Sequence, residues 1–303
     1  MSSSAVTPQT PFGRVLTAMV TPFDTHGEVD LDGAAQLAVE LMDSGHDGLV
    51  LNGTTGESPT TSDAEKERLI RAVVEAVGDR SVILAGVGTN DTRHTVELAQ
   101  AAEKAGAQGL LVVTPYYNKP PQAGLHEHFR TVADATGLPV MLYDIPGRSG
   151  VQIATETLIR LAEHDRIVAV KDAKDDLGAS SVVLASTDLA YYSGSDMFNL
   201  PLLSIGAVGF VSVVGHLAGP ALRQLVEAWT AGATAAATAL HRELLPLYQG
   251  LFRTQGTILV KAALALQNRP GGGVRPPLVP ATPEQIEQLR MDLVAGGVRL
   301  GSG

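Results

Sequence analysis

The chain contains no cysteine. That removes disulfides, thiolate catalysis and cysteine-ligated metals at once. Basic residues are also scarce: 22 Lys+Arg stand against 32 Asp+Glu, a formal net charge of −10 over 303 residues. A nucleic-acid binder would carry a basic patch, so that class is disfavoured. No run of 18 apolar residues occurs, which leaves no candidate membrane span. Residues Met1 to Thr10 are polar and lack the basic-then-apolar signature of a signal peptide. A cytoplasmic protein with a mobile tail over residues 1–12 is the simplest expectation, although zero cysteine is also compatible with export. Low-complexity tracts and repeats beyond a βα unit are absent as well.

What is present is apolar and rhythmic. The chain is 45% hydrophobic and 18% charged, enough for a sizeable core. Short apolar stretches at Val15–Val20, Gly48–Leu51, Val82–Val87, Leu110–Val113, Pro139–Tyr143, Ile167–Asp172, Leu189–Tyr192 and Val208–Val213 read as buried strands. Helical spacing follows each; in the first helix the apolar positions are Leu31, Ala34, Ala35, Leu37, Ala38, Leu41 and Met42, and Gly45 stops it. Ser62 with Glu65 three residues on reads as a capping box. Eight such units imply an α/β fold, a (β/α)8 barrel (TIM barrel) over residues 13–230. Three further helical patterns, Ala233–Tyr248, Thr257–Asn268 and Pro283–Leu293, make a C-terminal helical region over 231–303. A doubly wound sheet is the alternative, but no glycine fingerprint follows the first strand.

In a barrel the C-terminal strand ends carry the chemistry. Of six lysines, only Lys171 ends a core strand. A buried amine has a lowered pKa and attacks carbonyls, so Lys171 is a candidate Schiff-base former; the alternative is a structural lysine paired with Asp172 or Asp175. Tyr143 ends the preceding strand, where a phenol beside an amine can shuttle protons or simply pack over the barrel mouth. The loop Gly53-Thr54-Thr55-Gly56 offers two hydroxyls and free N–H groups, an anion cradle or a plain turn. Arg148, in the loop Ile145 to Gly150, suits a carboxylate held bidentately, or is a solvated surface arginine. Tyr116-Tyr117 is a packing pair or a second phenolic relay. His126 and His128 lie two apart on a helix and face apart, so no metal site is expected there.

Four motifs in order carry a resemblance: Gly53-Thr54-Thr55-Gly56-Glu57-Ser58, Val113-Thr114-Pro115-Tyr116-Tyr117-Asn118-Lys119-Pro120, Tyr143-Asp144-Ile145-Pro146-Gly147-Arg148-Ser149-Gly150, and Val170-Lys171-Asp172. From about Leu16 to Ala295 the chain resembles the 4-hydroxy-tetrahydrodipicolinate synthase (dihydrodipicolinate synthase) family. These are class I, Schiff-base-forming pyruvate lyases related to N-acetylneuraminate lyase. The resemblance implies an enzyme that condenses pyruvate with L-aspartate 4-semialdehyde in the diaminopimelate route to lysine. Lys171 would form the imine, and Thr54 and Thr55 would hold the pyruvate carboxylate. Thr55, Tyr143 and Tyr117 would form a proton relay, with Tyr117 supplied by the neighbouring subunit of a homotetramer built as a dimer of dimers. Arg148 would bind the aldehyde's carboxylate, and the carbonyls of Gly194 and Val211 would face the site. No metal or organic cofactor is implied, because the imine with pyruvate is itself the activated species. N-acetylneuraminate lyases usually have serine at the position of Thr54 and lack an arginine at that of Arg148. A lyase acting on another aldehyde or sugar acid is the second reading, and a non-catalytic pyruvate-sensing barrel the third.

Feedback-sensitive relatives bind lysine where this chain has Ser58, Pro59, Asp63, Lys66, Asn90, His94 and Tyr116. Lys66 replaces a histidine and His94 a glutamate. A cation stands where a cationic ligand must sit and a counter-charge is lost, so insensitivity to lysine is expected.

Overall fold

The computed structural model describes residues 10–301. Eight strands close into one parallel barrel in sequence order. They are β1 Val15–Ala18, β2 Gly48–Leu51, β3 Val82–Gly86, β4 Gly109–Val113, β5 Val140–Asp144, β6 Ile167–Asp172, β7 Ala190–Ser193 and β8 Gly209–Ser212. β8 pairs with β1, Leu16 opposite Val211, which closes the ring. Helices wrap the outside: α1 Leu31–Asp43, α2 Asp63–Val77, α3 Thr92–Lys104, α4 Gln122–Asp134, the single turn α5 Pro146–Ser149, α6 Thr155–Leu161, α7 Leu177–Ser186, α8 Asn199–Ser204 and α9 Gly215–Thr230. The capping box is present at α2: Ser62 and Glu65 satisfy each other's backbone N–H.

The strands read as continuous apolar runs because both faces are buried. On β5, Met141 and Tyr143 point into the barrel, while Val140 and Leu142 pack outward under the helices. The barrel interior is a packed core that includes Leu16, Val50, Leu84, Leu111 and Val211. Of the tail expected over 1–12, residues 1–9 lie outside the described residues, but Phe12 is buried. Its ring packs against Tyr192, whose hydroxyl donates to the Gly13 carbonyl at 2.9 Å. Phe12 thus belongs to the floor of the barrel core.

α9 is kinked at Ala218, two residues before Pro220. Proline has no N–H for the carbonyl of His216 and its ring crowds that oxygen. The freed carbonyl accepts instead from Arg269 at 2.6 Å. The first C-terminal pattern, expected as one helix over Ala233–Tyr248, is divided into α10 Thr234–Glu243 and α11 Leu245–Gly250. Pro246, at the start of α11, is the reason: it cannot donate to the preceding turn. α12 Gly256–Leu266 and α13 Pro283–Ala295 follow. Leu264, Leu289 and Leu293 belong to the same apolar cluster as the barrel's outer layer.

Two buried histidines staple this layer. His216 Nδ1 donates to the Val213 carbonyl at 2.8 Å and its Nε2 accepts from the Val20 N–H at 3.1 Å. His46 Nδ1 faces the Leu41 carbonyl at 2.7 Å and its Nε2 the Thr17 hydroxyl at 2.8 Å. Burial holds both rings neutral, pulling His46 down to about 4 and His216 to about 3. A depressed folded-state pKa gives stability that is full above the unfolded value near 6.5 and is lost as pH falls toward 4. Each ring is expected to cost up to roughly 1.4 kcal/mol per pH unit across that window. The acid-side drop in melting temperature should therefore be smaller in His46→Gln than in the parent; equal drops would contradict this assignment.

Candidate active site

Tyr143 and Lys171 are register partners on β5 and β6, so the parallel ladder sets their side chains next to each other inside the barrel mouth. Lys171 is 4% exposed, and its Nζ stands 4.2 Å from the centroid of the Tyr143 ring. Burial lowers the amine to about 8; nearby Asp196 opposes that shift and Arg148 adds to it. The Tyr143 phenol is pushed up to about 12 by burial, against the pull of Arg148 and of a hydrogen bond to Thr54. The pair therefore comprises an amine that is partly neutral near pH 8 and a phenol that keeps its proton to donate. Asp196, three residues after β7, is the nearby anion. Its carboxylate is fixed by the N–H groups of Val213 and Val214 at 2.9 and 3.0 Å and by the Ser212 hydroxyl.

Space for the lysine comes from Gly194. A Cβ there would stand 2.9 Å from Lys171 Cγ and 3.0 Å from Cε, closer than such contacts tolerate. Val211 is fully buried among the barrel's inward residues.

The loop after β2 starts and ends on left-handed residues, Asn52 at φ +56° and Glu57 at φ +54°. Non-glycine residues rarely adopt that region, and they stay there only where the surroundings hold them. Between them Thr54 lines a cavity of about 410 Å³ that also touches Tyr143, Arg148, Tyr116 and Tyr117. The sequence reading placed Thr55 in the proton relay; in the structure it is Thr54 that lines the cavity beside Tyr143. Thr54 is near enough to Tyr143 to temper the rise in its pKa, whereas Thr55 is buried off the cavity wall and its carbonyl accepts from the Thr257 hydroxyl at 3.3 Å. The backbone N–H groups of Thr54 and Thr55 have no acceptor among the described residues. Lys171 is not on the cavity wall either; Tyr143 is, and the ammonium lies over its ring.

Arg148 sits exposed on the one-turn helix α5, on the cavity rim. Among the described residues its guanidinium has no carboxylate partner. Tyr117 is 89% exposed, with φ +73°, on the lip of the same cavity. His126 and His128 diverge as expected: His128 bonds to the Thr92 hydroxyl at 2.9 Å.

A buried strand-end lysine over a tyrosine, bracketed by a Gly-Thr-Thr-Gly loop and a rim arginine, is matched by a family model over residues 11–295, the dihydrodipicolinate synthetase family. The chain belongs to that family. It is 67% identical over 294 residues to 4-hydroxy-tetrahydrodipicolinate synthase 2 of Streptomyces coelicolor, covering 97% of this chain and 98% of that one. Among solved structures it resembles the dihydrodipicolinate synthase of Cyanidioschyzon merolae with lysine bound (42% identity, TM-score 0.94, 96% of this chain and 100% of that one). It is also similar in fold to a dihydrodipicolinate synthase variant described as monomeric (37% identity, TM-score 0.92, 95% and 98% covered). As a member of the dihydrodipicolinate synthase family the chain is a lyase of lysine biosynthesis. No helix among the described residues is long and apolar enough to cross a membrane.

The positions where the resemblance would put a lysine-binding site have their own occupants here. The Lys66 ammonium, on α2, donates to the Thr61 carbonyl and lies 3.9 Å from Asp63. Asp63 is already taken by His94, at 2.9 Å. A second ammonium would meet a resident cation and a carboxylate in use. Two like charges about 4 Å apart cost roughly 4 kcal/mol at the effective dielectric of a protein surface. Turnover is expected to be nearly unchanged in millimolar lysine; a saturating inhibition curve in that range would contradict this.

Proposed function

We propose that the neutral amine of Lys171 attacks the keto carbon of pyruvate and, after loss of water, forms an imine. Removal of a methyl proton gives the enamine, whose carbon attacks the aldehyde of L-aspartate 4-semialdehyde. The substrate's own amine then closes the ring onto the imine carbon and displaces Lys171, which restores the enzyme. Tyr143 moves the protons of imine formation and breakdown, with Thr54 as the hydroxyl that passes them on. The free N–H groups of Thr54 and Thr55 take the pyruvate carboxylate, and Arg148 takes that of the aldehyde. The carbonyls of Gly194 and Val211 border the reacting carbon. The scheme uses no metal or organic cofactor, since the protonated imine is itself the electron sink, and both substrates are small soluble acids of the cytoplasm.

The observation that carries this reading is the buried Lys171 amine 4.2 Å from the Tyr143 ring. The exposed guanidinium at the rim favours an aldehyde bearing a carboxylate over a neutral amino sugar. Condensation assays with pyruvate are expected to turn over L-aspartate 4-semialdehyde and to leave N-acetylmannosamine untouched. The reverse preference would support the sugar-acid lyase instead.

Tyr117 completes the relay in this scheme from a second copy of the chain. An exposed tyrosine held at positive φ on the cavity lip is poorly explained as a packing residue. We therefore propose a homotetramer, a dimer of dimers with closed symmetry. Sedimentation and activity at matched concentrations should show turnover falling as the dimer dissociates; a fully active monomer would contradict this.

A further inference from the structure

The strained loop that carries Thr54 is gripped from outside the barrel. Glu57, its last left-handed residue, has a side chain only 2% exposed, and so does its partner Lys261 on α12; their charged atoms are 2.7 Å apart. The other Glu57 oxygen accepts from the Arg275 N–H at 2.9 Å. The Lys261 ammonium also donates to the Gly273 carbonyl at 2.7 Å and lies 4.0 Å from the centroid of Phe23. One turn earlier on α12, Thr257 donates to the carbonyl of Thr55. Arg275 in turn holds Glu65, at 2.6 Å, and the Thr60 carbonyl, at 2.8 Å, just beyond the loop. The same face of α12 thus contacts the loop at Thr55 and at Glu57.

A buried ion pair seldom contributes much net stability, because desolvating both charges offsets their attraction. Such a pair is better suited to fixing one conformation, and the conformation here is an unfavourable one. We propose that Lys261 is a positioning residue of the active site: paired with Glu57, it holds the 53–58 loop so that the Thr54 hydroxyl meets Tyr143. The C-terminal helices thereby set the geometry of proton transfer without touching substrate. This rests on the role given to Thr54 above.

The test is a double-mutant cycle on the full-length enzyme. Lys261→Met is expected to lower kcat by roughly 10²-fold, the scale on which an ångström of misplacement acts, while still melting cooperatively. In a Thr54→Ala background the same change should cost less than about twofold, because the hydroxyl it positions is already gone. Glu57→Gln with Lys261→Met removes both charges, avoids an unpaired buried carboxylate, and is expected to show the same kcat loss; it carries the test should the single variant fail to fold. Wild-type kcat in either variant, or a full multiplicative loss in the Thr54→Ala background, would overturn the proposal. Thr54→Ala that is itself fully active would overturn the relay and this proposal with it, so the two failures can be told apart.

Discussion

Lys171→Met is expected to abolish turnover, lowering kcat by on the order of 10⁴-fold or more, with the fold intact. Methionine has nearly the volume of the lysine stem, and the buried site favours an apolar side chain over an ammonium. A cooperative melt at or above the parent temperature should accompany the loss. Tyr143→Phe keeps the nucleophile and removes only the proton shuttle, so a smaller fall of roughly 10²- to 10⁴-fold is expected. The pH profile follows from the amine. Attack needs the neutral form, and burial brings Lys171 to about 8. The kcat/KM for pyruvate should rise with pH up to about 8 and then level off, and this limb should vanish in no variant that retains the lysine. A Lys171→Met enzyme with parental turnover, measured by the condensation assay, would remove the residue from the mechanism.

Arg148→Ala is expected to act on the second substrate. A bidentate guanidinium–carboxylate contact contributes about 1.5–3 kcal/mol, or roughly ten- to a hundredfold in the Michaelis constant for L-aspartate 4-semialdehyde. The pyruvate constant should change far less. A second effect has a definite sign. Arg148 is one of the charges that lower the Lys171 amine and the Tyr143 phenol. Removing it raises the lysine pKa, so the acid limb of the pyruvate profile moves to higher pH. Assays above that limb separate lost carboxylate binding from lost neutral amine. Equal rises in both Michaelis constants there would mean that Arg148 only shapes the rim.

The barrel was legible because parallel strands buried on both faces must be nearly all apolar, and helices between them must alternate with that beat. Lys171 stood out because a charge closing such a run conflicts with its surroundings. The two neighbouring threonines could not be told apart in the same way. Thr54 lines the cavity and Thr55 does not, on a loop bounded by two left-handed residues, Asn52 and Glu57, that nothing local announces. The burial of two other lysines was not legible for the same reason. Lys174 lies in the loop after β6 and Lys261 on the apolar helix α12, yet both side chains are buried, at 3% and 2% exposure. Their partners, Asp144 and Glu57, are brought to them by tertiary structure alone. Burial of the first pair also pushes Asp144 up to about 6, with Lys174 opposing that rise. The role of Asp196 near Lys171 was hidden for a similar reason: its carboxylate is anchored by β8 and the residues after it, a contact that only closure of the barrel creates.

The central claim is a covalent imine at one lysine. The most direct measurement is peptide mapping by mass spectrometry after incubation with pyruvate and borohydride, which reduces an imine to a stable secondary amine. The account expects a single reduced pyruvate adduct, on the peptide carrying Lys171. No adduct, or an adduct confined to Lys174 or Lys261, would contradict it.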